Sequence, residues 1–200
     1  MRAGMPLARA GQKIGLLGGS FDPPHAGHVH LTMAALRGFG LDVVWWLVSP
    51  GNPLKTEGPA PLDRRLAAAR TLMQHPRVQV TDLERRLGTR FTAATLKALI
   101  GQYPGVRFTW LMGADNLASI HLWDHWRSIF ELAPVGVIAR PGEPLSARLT
   151  HAARIYRAER LRVQQSTLLG GAAPPVWCYL EGPQVDMSST EIRARGDWVR

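Results

Sequence analysis

The sequence has little of the chemistry that builds cross-linked or thiolate-rich proteins. It contains a single cysteine, Cys178, so neither an intrachain disulfide nor a cysteine-rich metal site can form within one chain. Lysine is also scarce, since only Lys13, Lys55 and Lys97 occur among the 24 basic residues. No uncharged apolar run reaches the roughly 18 residues of a membrane span, and residues 1–12 lack the apolar stretch of a signal peptide. These features predict a protein of the reducing cytoplasm without a membrane partner.

The charge balance is basic. Twenty-four Lys and Arg residues stand against 15 Asp and Glu residues, which gives a formal net charge of +9. Such a surplus can attract polyanions, either nucleic acid or the phosphates of a nucleotide. Because the arginines are scattered rather than massed in one run, we favour the interpretation that most of them are solvated surface charges.

Length and apolar content predict one domain. The chain has 200 residues, of which 46% are hydrophobic, and this is enough to bury one substantial core. We expect a disordered tail over residues 1–12 and a single domain over residues 13–200.

Apolar runs alternate with segments of helical periodicity along the chain. Strands are predicted at residues 13–17, 42–48, 77–80, 106–112, 135–139 and 176–180. Helices are predicted at residues 25–36, 63–73, 92–100, 123–132 and 146–165. The last of these would be basic, with Leu149, Ala152, Ala153 and Tyr156 on its inner face. Strands separated by helices predict an α/β fold, with a doubly wound, mostly parallel sheet and helices on both faces.

The densest group of chemically informative residues lies between the first predicted strand and the first predicted helix. Residues 18–28 read Gly-Gly-Ser-Phe-Asp-Pro-Pro-His-Ala-Gly-His. Loop glycines let backbone N–H groups approach phosphate oxygens, and the N-terminus of a following helix favours negative charge. His25 and His28 are three residues apart, so both imidazoles can face one pocket from the first helical turn. The pattern predicts a polyphosphate site.

The two histidines could instead share a zinc ion. Zinc would need at least a third protein ligand, and the sequence has neither a His-Glu-x-x-His arrangement nor a cysteine cluster. We therefore predict no metal bound by protein side chains at this loop. A lone histidine is usually a capping or packing residue, but the concentration of glycines, prolines and two histidines in one loop argues against that interpretation here.

A second candidate anion site lies near the end of the chain. Residues 187–193 read Met-Ser-Ser-Thr-Glu-Ile-Arg, and their pattern fits a capping box that simply begins a helix. The same residues could also form an anion site, because hydroxyls, helix amides and a guanidinium would converge on one point. The side chains concerned are those of Ser188, Ser189, Thr190 and Arg193. Together with the first loop, this motif favours a phosphate-binding function.

At these two motifs the sequence resembles the nucleotidyltransferase superfamily that carries a His-x-Gly-His loop and a Ser-Ser-Thr-x-Ile-Arg helix start. Within it the chain is most similar to bacterial nicotinate-nucleotide adenylyltransferases, over roughly residues 14–195. Three further blocks occur in that family's order: Asn-Pro-Leu-Lys at 52–55, Phe-Thr-Ala-Ala-Thr-Leu at 91–96, and Met-Gly-Ala-Asp-Asn-Leu at 112–117 followed by Trp123. The chain departs from the family at Ala94, where Asp is common, and at its end, where relatives often continue into a further helix.

The resemblance implies a Rossmann-like fold and adenylyl transfer from ATP to nicotinate mononucleotide, which yields nicotinate adenine dinucleotide and pyrophosphate in NAD biosynthesis. It implies His25 and His28 as the catalytic residues on the ATP phosphates. Other ATP contacts would be Gly18, Gly19, Ser20, Phe21, Gly113, Asp115, Ser188, Ser189, Thr190 and Arg193. Contacts to the mononucleotide would be Asp22, Lys55, Thr92 and Trp123. Mg²⁺ would accompany ATP, held mainly by substrate phosphates rather than by the protein.

Each residue on the mononucleotide side has a plainer interpretation. Lys55 could be a solvated loop charge, and Thr92 could be a helix cap. Trp123 and Trp126 could be a core pair at helical spacing. We favour Trp123 as a ligand and Trp126 as core.

Two other functions stay open at this point. The acceptor could be nicotinamide mononucleotide or phosphopantetheine instead of the nicotinate compound. Alternatively, the chain could be a basic nucleic-acid-binding protein that uses the arginine-rich segment 148–162, although no recognised nucleic-acid-binding signature is present. We predict small-molecule substrates and no nucleic acid, and we leave open a homo-oligomer.

Overall fold

The computed structural model describes residues 4–51, 58–139, 150–181 and 189–198. Its centre is a seven-stranded sheet. The strands are β1 (Lys13–Gly19), β2 (Val43–Val48), β3 (Val78–Thr81), β4 (Arg107–Gly113), β5 (Val135–Ala139), β6 (Arg160–Leu161) and β7 (Trp177–Glu181). Their order is β3-β2-β1-β4-β5-β7-β6, and all neighbouring strands run parallel.

Helices connect the strands and cover the sheet. They are α1 (Ala26–Gly38), α2 (Leu62–Leu72), α3 (Leu83–Leu87), α4 (Thr92–Gln102), α5 (Ala114–Ser119), α6 (Trp126–Leu132), α7 (His151–Ile155) and α8 (Ser189–Ala194). Two 3₁₀ segments lie at Ile120–Leu122 and Val163–Gly171. Within the described ranges, no helix is both long and apolar enough to cross a bilayer.

The sheet is buried on both faces. Leu16 and Trp45 belong to one hydrophobic cluster, whereas their sequence neighbours Leu17 and Trp46 belong to a second. Because successive strand residues point to opposite faces, the two clusters lie on opposite sides of the sheet. The predicted doubly wound α/β fold is therefore confirmed.

The strand order reverses direction at β1. The chain first builds outward through β2 and β3, and then begins again with β4 on the other side of β1. The register pairs Gly19 of β1 with Val48 and pairs Leu17 with Leu111 of β4, so Gly19 and Gly113 end at the same edge. Ligands of open α/β sheets bind in the crevice that such a reversal creates. The Gly18-Gly19 pair and Gly113 therefore both lie at this crevice.

The prediction of a single basic helix over residues 146–165 is wrong. Helix α7 has five residues, after which the chain forms the short edge strand β6 and a 3₁₀ segment, while residues 146–149 lie outside the described ranges. The indole of Trp177 donates to the carbonyl of Tyr156 at 2.6 Å, and its backbone N–H donates to Glu159 at 3.1 Å. Pairing with β7 thus overrides helical periodicity, although Ala152, Ala153 and Tyr156 are buried as expected.

The helix predicted over residues 123–132 begins only at Trp126. Trp123 ends the preceding 3₁₀ turn, and His125 has a left-handed backbone with a φ of 47° that separates the two tryptophans. They are therefore not a pair on one helix. Trp126 is buried in the core as predicted, whereas Trp123 is half-buried at its margin.

Residues 4–12 differ from the expected disordered tail. Met5 is buried in the main core, and the Tyr103 hydroxyl donates to the Pro6 carbonyl at 2.8 Å. Gly11 donates to the Gly105 carbonyl at 2.7 Å. The segment packs because its few apolar residues cover the ends of α4 and β4. Residues 1–3 lie outside the described ranges.

Candidate active site

His25 and His28 are oriented by the backbone of the turn that carries them. His25 is the N-cap of α1, and its Nδ1 accepts the N–H of Gly27 at 3.1 Å. The backbone N–H of His25 in turn donates to Nδ1 of His28 at 3.2 Å. A ring nitrogen that accepts an N–H bond carries no hydrogen, so Nε2 bears the hydrogen in each neutral imidazole.

The two imidazoles lie side by side, with their ring centroids 4.0 Å apart. This confirms the prediction that the spacing of three places both rings on one side of the first helical turn. The local fold therefore fixes the two rings next to each other at the start of α1.

An aromatic wall supports His28. The ring of Phe21 lies 4.6 Å from the imidazole and stacks on Trp46 of β2 at 4.8 Å. The indole of Trp46 donates to the Thr32 hydroxyl at 2.8 Å, and that hydroxyl donates to the carbonyl of His28 at 2.8 Å. Phe21, which the resemblance assigned to ATP, is itself buried, so in this structure its ring supports His28.

Gly18 is required by packing. A Cβ at Gly18 would lie 2.5 Å from the indole of Trp110, which comes from the neighbouring strand β4. At Gly19 the added carbon would lie 3.4 Å from the ring of Phe21. The glycine pair therefore lets the core pack tightly directly beneath the loop.

Asp22 joins the loop to two distant segments. Its side chain is 3% exposed, and its Oδ1 accepts the N–H of Ala60 at 3.3 Å and the indole N–H of Trp198 at 2.7 Å. The guanidinium of Arg193 lies 3.9 Å from Oδ2. The resemblance assigned Asp22 to the mononucleotide, but in this structure its carboxylate is held by protein donors.

Arg65, on α2, is a component of the site that the sequence analysis missed. Its guanidinium is almost fully buried and donates to four backbone carbonyls, those of Ala60, Ser20, Ser49 and Pro50 at 2.6, 2.6, 2.7 and 3.2 Å. Burial lowers the pKa of Arg65, while the negative charge of Asp22 opposes that shift. The sequence did contain a signal for this burial. Arg65 lies four residues before the apolar Ala69, and this spacing places both residues on the inner side of α2.

The C-terminal motif lies directly against the first loop. The hydroxyl of Ser189 donates to the carbonyl of Pro23 at 2.9 Å. The guanidinium of Arg193 donates to the carbonyl of Asp22 and, at 3.2 Å, to the hydroxyl of Thr190. Two stretches from opposite ends of the chain thus meet at one crevice. Ser188 lies outside the described residues.

The end of β4 forms another side of the crevice. Gly113 is the N-cap of α5, and Asp115, two residues later, is exposed in the first turn of that helix. A Cβ at Gly113 would collide with the Asp115 carboxylate. Residues 113–115 therefore form a helix start, with an accessible carboxylate close to the edge where β1 ends.

The start of α4 is organised by a buried hydroxyl. The N-cap is Phe91 rather than Thr92, and the side chain of Phe91 makes no capping hydrogen bond. The hydroxyl of Thr95 lies 2.8 Å from that of Thr89, 3.2 Å from the carbonyl of Phe91 and 3.3 Å from Oε1 of Glu84. The first backbone N–H groups of an α-helix have no partner within the helix and favour an anion. Lys55, predicted on the same side of the site, lies outside the described residues.

Glu84 is a buried acid that the sequence analysis missed. Burial raises the pKa of its carboxyl to about 7, and the hydrogen bond from Thr95 opposes the shift. Its Oε2 makes no hydrogen bond to any described residue. Glu84 therefore retains its proton to near-neutral pH beneath the start of α4.

Known proteins resemble this chain over nearly its whole length. The family model for cytidylyltransferase-like proteins matches residues 16–195. A protein of Ruegeria pomeroyi is 64% identical over 99% of this chain and 93% of its own length. One of Roseobacter denitrificans is 59% identical over 100% of both chains. Both are named "Probable nicotinate-nucleotide adenylyltransferase".

Solved structures share the fold. The nicotinic acid mononucleotide adenylyltransferase of Plasmodium falciparum complexed with NaAD has a TM-score of 0.68 and 17% identity, over 92% of this chain and 83% of that chain. The same enzyme complexed with APC gives a TM-score of 0.67 and 16% identity over the same shares of the two chains. At this identity the likeness concerns the fold alone, whereas the curated relatives decide the family. The chain belongs to the cytidylyltransferase-like family and, within it, to the nicotinate-nucleotide adenylyltransferases.

Proposed function

We propose that this protein transfers the adenylyl group of ATP to nicotinate mononucleotide, forming nicotinate adenine dinucleotide for NAD biosynthesis. A phosphate oxygen of the mononucleotide bonds to the α-phosphorus, and the bond from that phosphorus to pyrophosphate breaks. The observation that carries the proposal is the contact between the two motifs, in which Ser189 and Arg193 reach the loop that holds His25 and His28. One crevice can then hold a whole triphosphate.

Catalysis by this geometry needs no nucleophile from the protein. Two polyanions must be held together, and charge that develops on the α-phosphate and on the leaving group must be stabilised. The Nε2–H groups of His25 and His28 would donate to oxygens of the α-phosphate. Since each Nδ1 accepts a backbone N–H, the rings need no reorientation during the reaction.

The remaining phosphates would lie towards α8. Ser188, Ser189, Thr190 and Arg193 would contact the β- and γ-phosphates, which leave together as pyrophosphate. Backbone N–H groups of Gly18, Gly19 and Ser20 would approach the phosphate groups of ATP from the end of β1. Adenosine would lie against Gly113, with the exposed Asp115 as a ribose or base contact.

The mononucleotide would lie on the side of α4. Its pyridine carboxylate would accept hydrogen bonds from the first backbone N–H groups of α4 near Thr92, where the N-cap Phe91 makes no side-chain cap. Trp123, half-buried at the core margin, would stack on the pyridine ring, and Lys55 would contact the phosphate. A carboxylate suits an array of N–H donors better than the neutral amide of nicotinamide does, which favours the nicotinate acceptor.

Magnesium enters this proposal as part of the ATP substrate. Among the described residues there is no group of three or more His, Cys, Asp or Glu side chains that could hold a metal ion. Asp22, which belongs to the histidine loop, is buried and bonded to protein donors. The residues fit an ion held by phosphate oxygens and water. Since ATP is a cytoplasmic metabolite, the proposal places the protein in the cytoplasm.

The test is a pyrophosphate-release assay with ATP and a panel of acceptors at equal concentration. We expect the highest kcat/KM with nicotinate mononucleotide, a lower one with nicotinamide mononucleotide and none with phosphopantetheine. A preference for either other acceptor would overturn the assignment of substrate. Absence of release with every acceptor, combined with steeply salt-dependent binding to duplex DNA or RNA, would favour the nucleic-acid alternative instead.

A further inference from the structure

Trp198, the last described residue, lies against the first loop. Its indole N–H donates to Oδ1 of Asp22 at 2.7 Å, although the two residues are 176 positions apart. The guanidinium carbon of Arg64, on α2, lies 4.2 Å from the centre of the indole ring. The indole thus connects the C-terminal segment to the histidine loop and to α2.

Asp22 is a rigid attachment point for this indole. Its carboxylate is buried, and the N–H of Ala60 donates to the same oxygen. The adjacent loop carbonyl of Ser20 is held by the buried guanidinium of Arg65. An ionised acceptor strengthens the hydrogen bond from the indole, and a buried carboxylate that loses a donor is destabilised.

Helix α8, in contrast, is joined to the loop by polar contacts among the described residues. It is six residues long and buries none of its side chains, and a helix of that length is not stable by itself. Its described contacts with the loop are polar: Ser189 to Pro23 at its start and Arg193 to Asp22 in its second turn. Trp198 adds a third contact beyond its end, so the helix is held from both sides.

We propose that Trp198 is a positioning residue that holds α8 against the histidine loop. Ser189, Thr190 and Arg193 then stay aligned for the β- and γ-phosphates without being reordered by each substrate molecule. The inference rests on the proposed function, because it assigns those phosphates to α8. Trp198 itself acts through Asp22 and α8 and touches no substrate.

Loss of the Trp198 contact should affect only the substrates that carry the pyrophosphate portion. Loosening α8 weakens binding of the pyrophosphate portion, which is present in ATP and, for the reverse reaction, in free pyrophosphate. It leaves untouched the mononucleotide side at α4. We therefore expect a rise in KM for ATP and for pyrophosphate, with KM for the mononucleotide, KM for the dinucleotide and kcat little changed.

The decisive variant is Trp198→Phe, which keeps an aromatic ring over Arg64 and removes the N–H donor. We expect KM for ATP and KM for pyrophosphate each to rise about tenfold, as for loss of one hydrogen bond to a charged group. Trp198→Leu also removes the contact with Arg64, so its effect on both KM values should be larger. Arg70→Gln, an exposed substitution on the same helix as Arg64, is the control and should match the wild type.

Wild-type KM values for ATP and pyrophosphate in Trp198→Phe would overturn the inference. Equal increases in all four KM values would also overturn it, because they indicate a merely structural role. If the wild type released no pyrophosphate with any acceptor, the proposed function would fail separately. Calorimetric titration with inorganic pyrophosphate would then decide the anchoring role: weaker binding by Trp198→Phe supports it, and equal binding overturns it.

Discussion

His28 shows how a single side chain acquires a defined role from local structure. Its Nδ1 accepts the N–H of His25, its carbonyl accepts the Thr32 hydroxyl, and Phe21 packs on its ring. A donor fixed in this way needs no reorganisation when charge develops on a phosphate, and this is the condition under which one hydrogen bond contributes most to catalysis.

Replacing His28 with alanine should therefore reduce turnover much more than stability. We expect His28→Ala to lose ~2.7–4 kcal/mol of transition-state stabilisation, which corresponds to a decrease of about 10²–10³ in kcat. Steady-state pyrophosphate release would measure it, with circular dichroism to verify the fold. His30→Ala, two residues further along α1, serves as the matched control. Undiminished kcat in His28→Ala would exclude this imidazole from the chemical step.

Glu84 makes stability depend on pH. Burial raises the pKa of its carboxyl from 4.5 to about 7 in the folded state. Below pH 4.5 both folded and unfolded chains carry the proton. As pH rises from 4.5 through 7, the unfolded chain ionises first, so the free energy of unfolding contributed by this group decreases by about 3 kcal/mol.

Glu84→Gln should remove that dependence, because the amide does not ionise. We expect the stability of the variant relative to the wild type to increase between pH 5 and pH 8 by up to about 3 kcal/mol. Urea unfolding of both proteins across this range measures the difference. Parallel stability curves for the two proteins would show that Glu84 does not titrate as described.

At the scale of elements, α2 does more than cover the sheet. Through Arg65 it holds carbonyls from three segments around the crevice: the histidine loop, the end of β2 and the approach to α2 itself. The guanidinium that bonds these carbonyls is itself buried. One rigid, planar guanidinium satisfies them together, which a lysine ammonium could not do with the same geometry.

Arg65→Met should destabilise the protein by about 3 kcal/mol or more, since it leaves buried carbonyls and the Asp22 carboxylate without this cation. Arg65→Lys should recover only part of that loss. Denaturant unfolding gives the stabilities, and Arg70→Met on the exposed face of α2 provides the comparison. Equal stability of Arg65→Met and Arg70→Met would contradict the role assigned to Arg65.

Some helices and strands were predicted correctly from the sequence, and others were not. Strand β5 was predicted at its observed bounds, because the run Val-Gly-Val-Ile-Ala is short, rich in β-branched residues and directly preceded by Pro134. The helix over residues 146–165 was not found, because hydrogen bonds from Trp177 draw the chain after Tyr156 into the sheet. Helices α3 and α5 were missed since five or six residues are too few to display periodicity.

At the scale of the whole molecule, the crevice forms where the chain reverses its direction of sheet growth. Strand β1 lies between β2 and β4, so the loop after it opens beside the end of β4. The chain then returns after 171 residues, when Arg193 contacts Asp22. The proposed reaction depends on this closure, because neither motif alone would enclose a triphosphate.

The sequence by itself determined the fold class, the two candidate phosphate-binding motifs and the family. Periodicity and short-range spacing are local properties, so they can be recognised in one stretch of chain without its tertiary contacts. Only the tertiary structure decided that Arg65 is buried, that Asp22 is bonded to Trp198, and that Glu84 lacks a charged partner among the described residues. Each of these depends on groups brought together from distant positions. Their burial and pairing are set by the packed sheet and are not encoded in the residues near them.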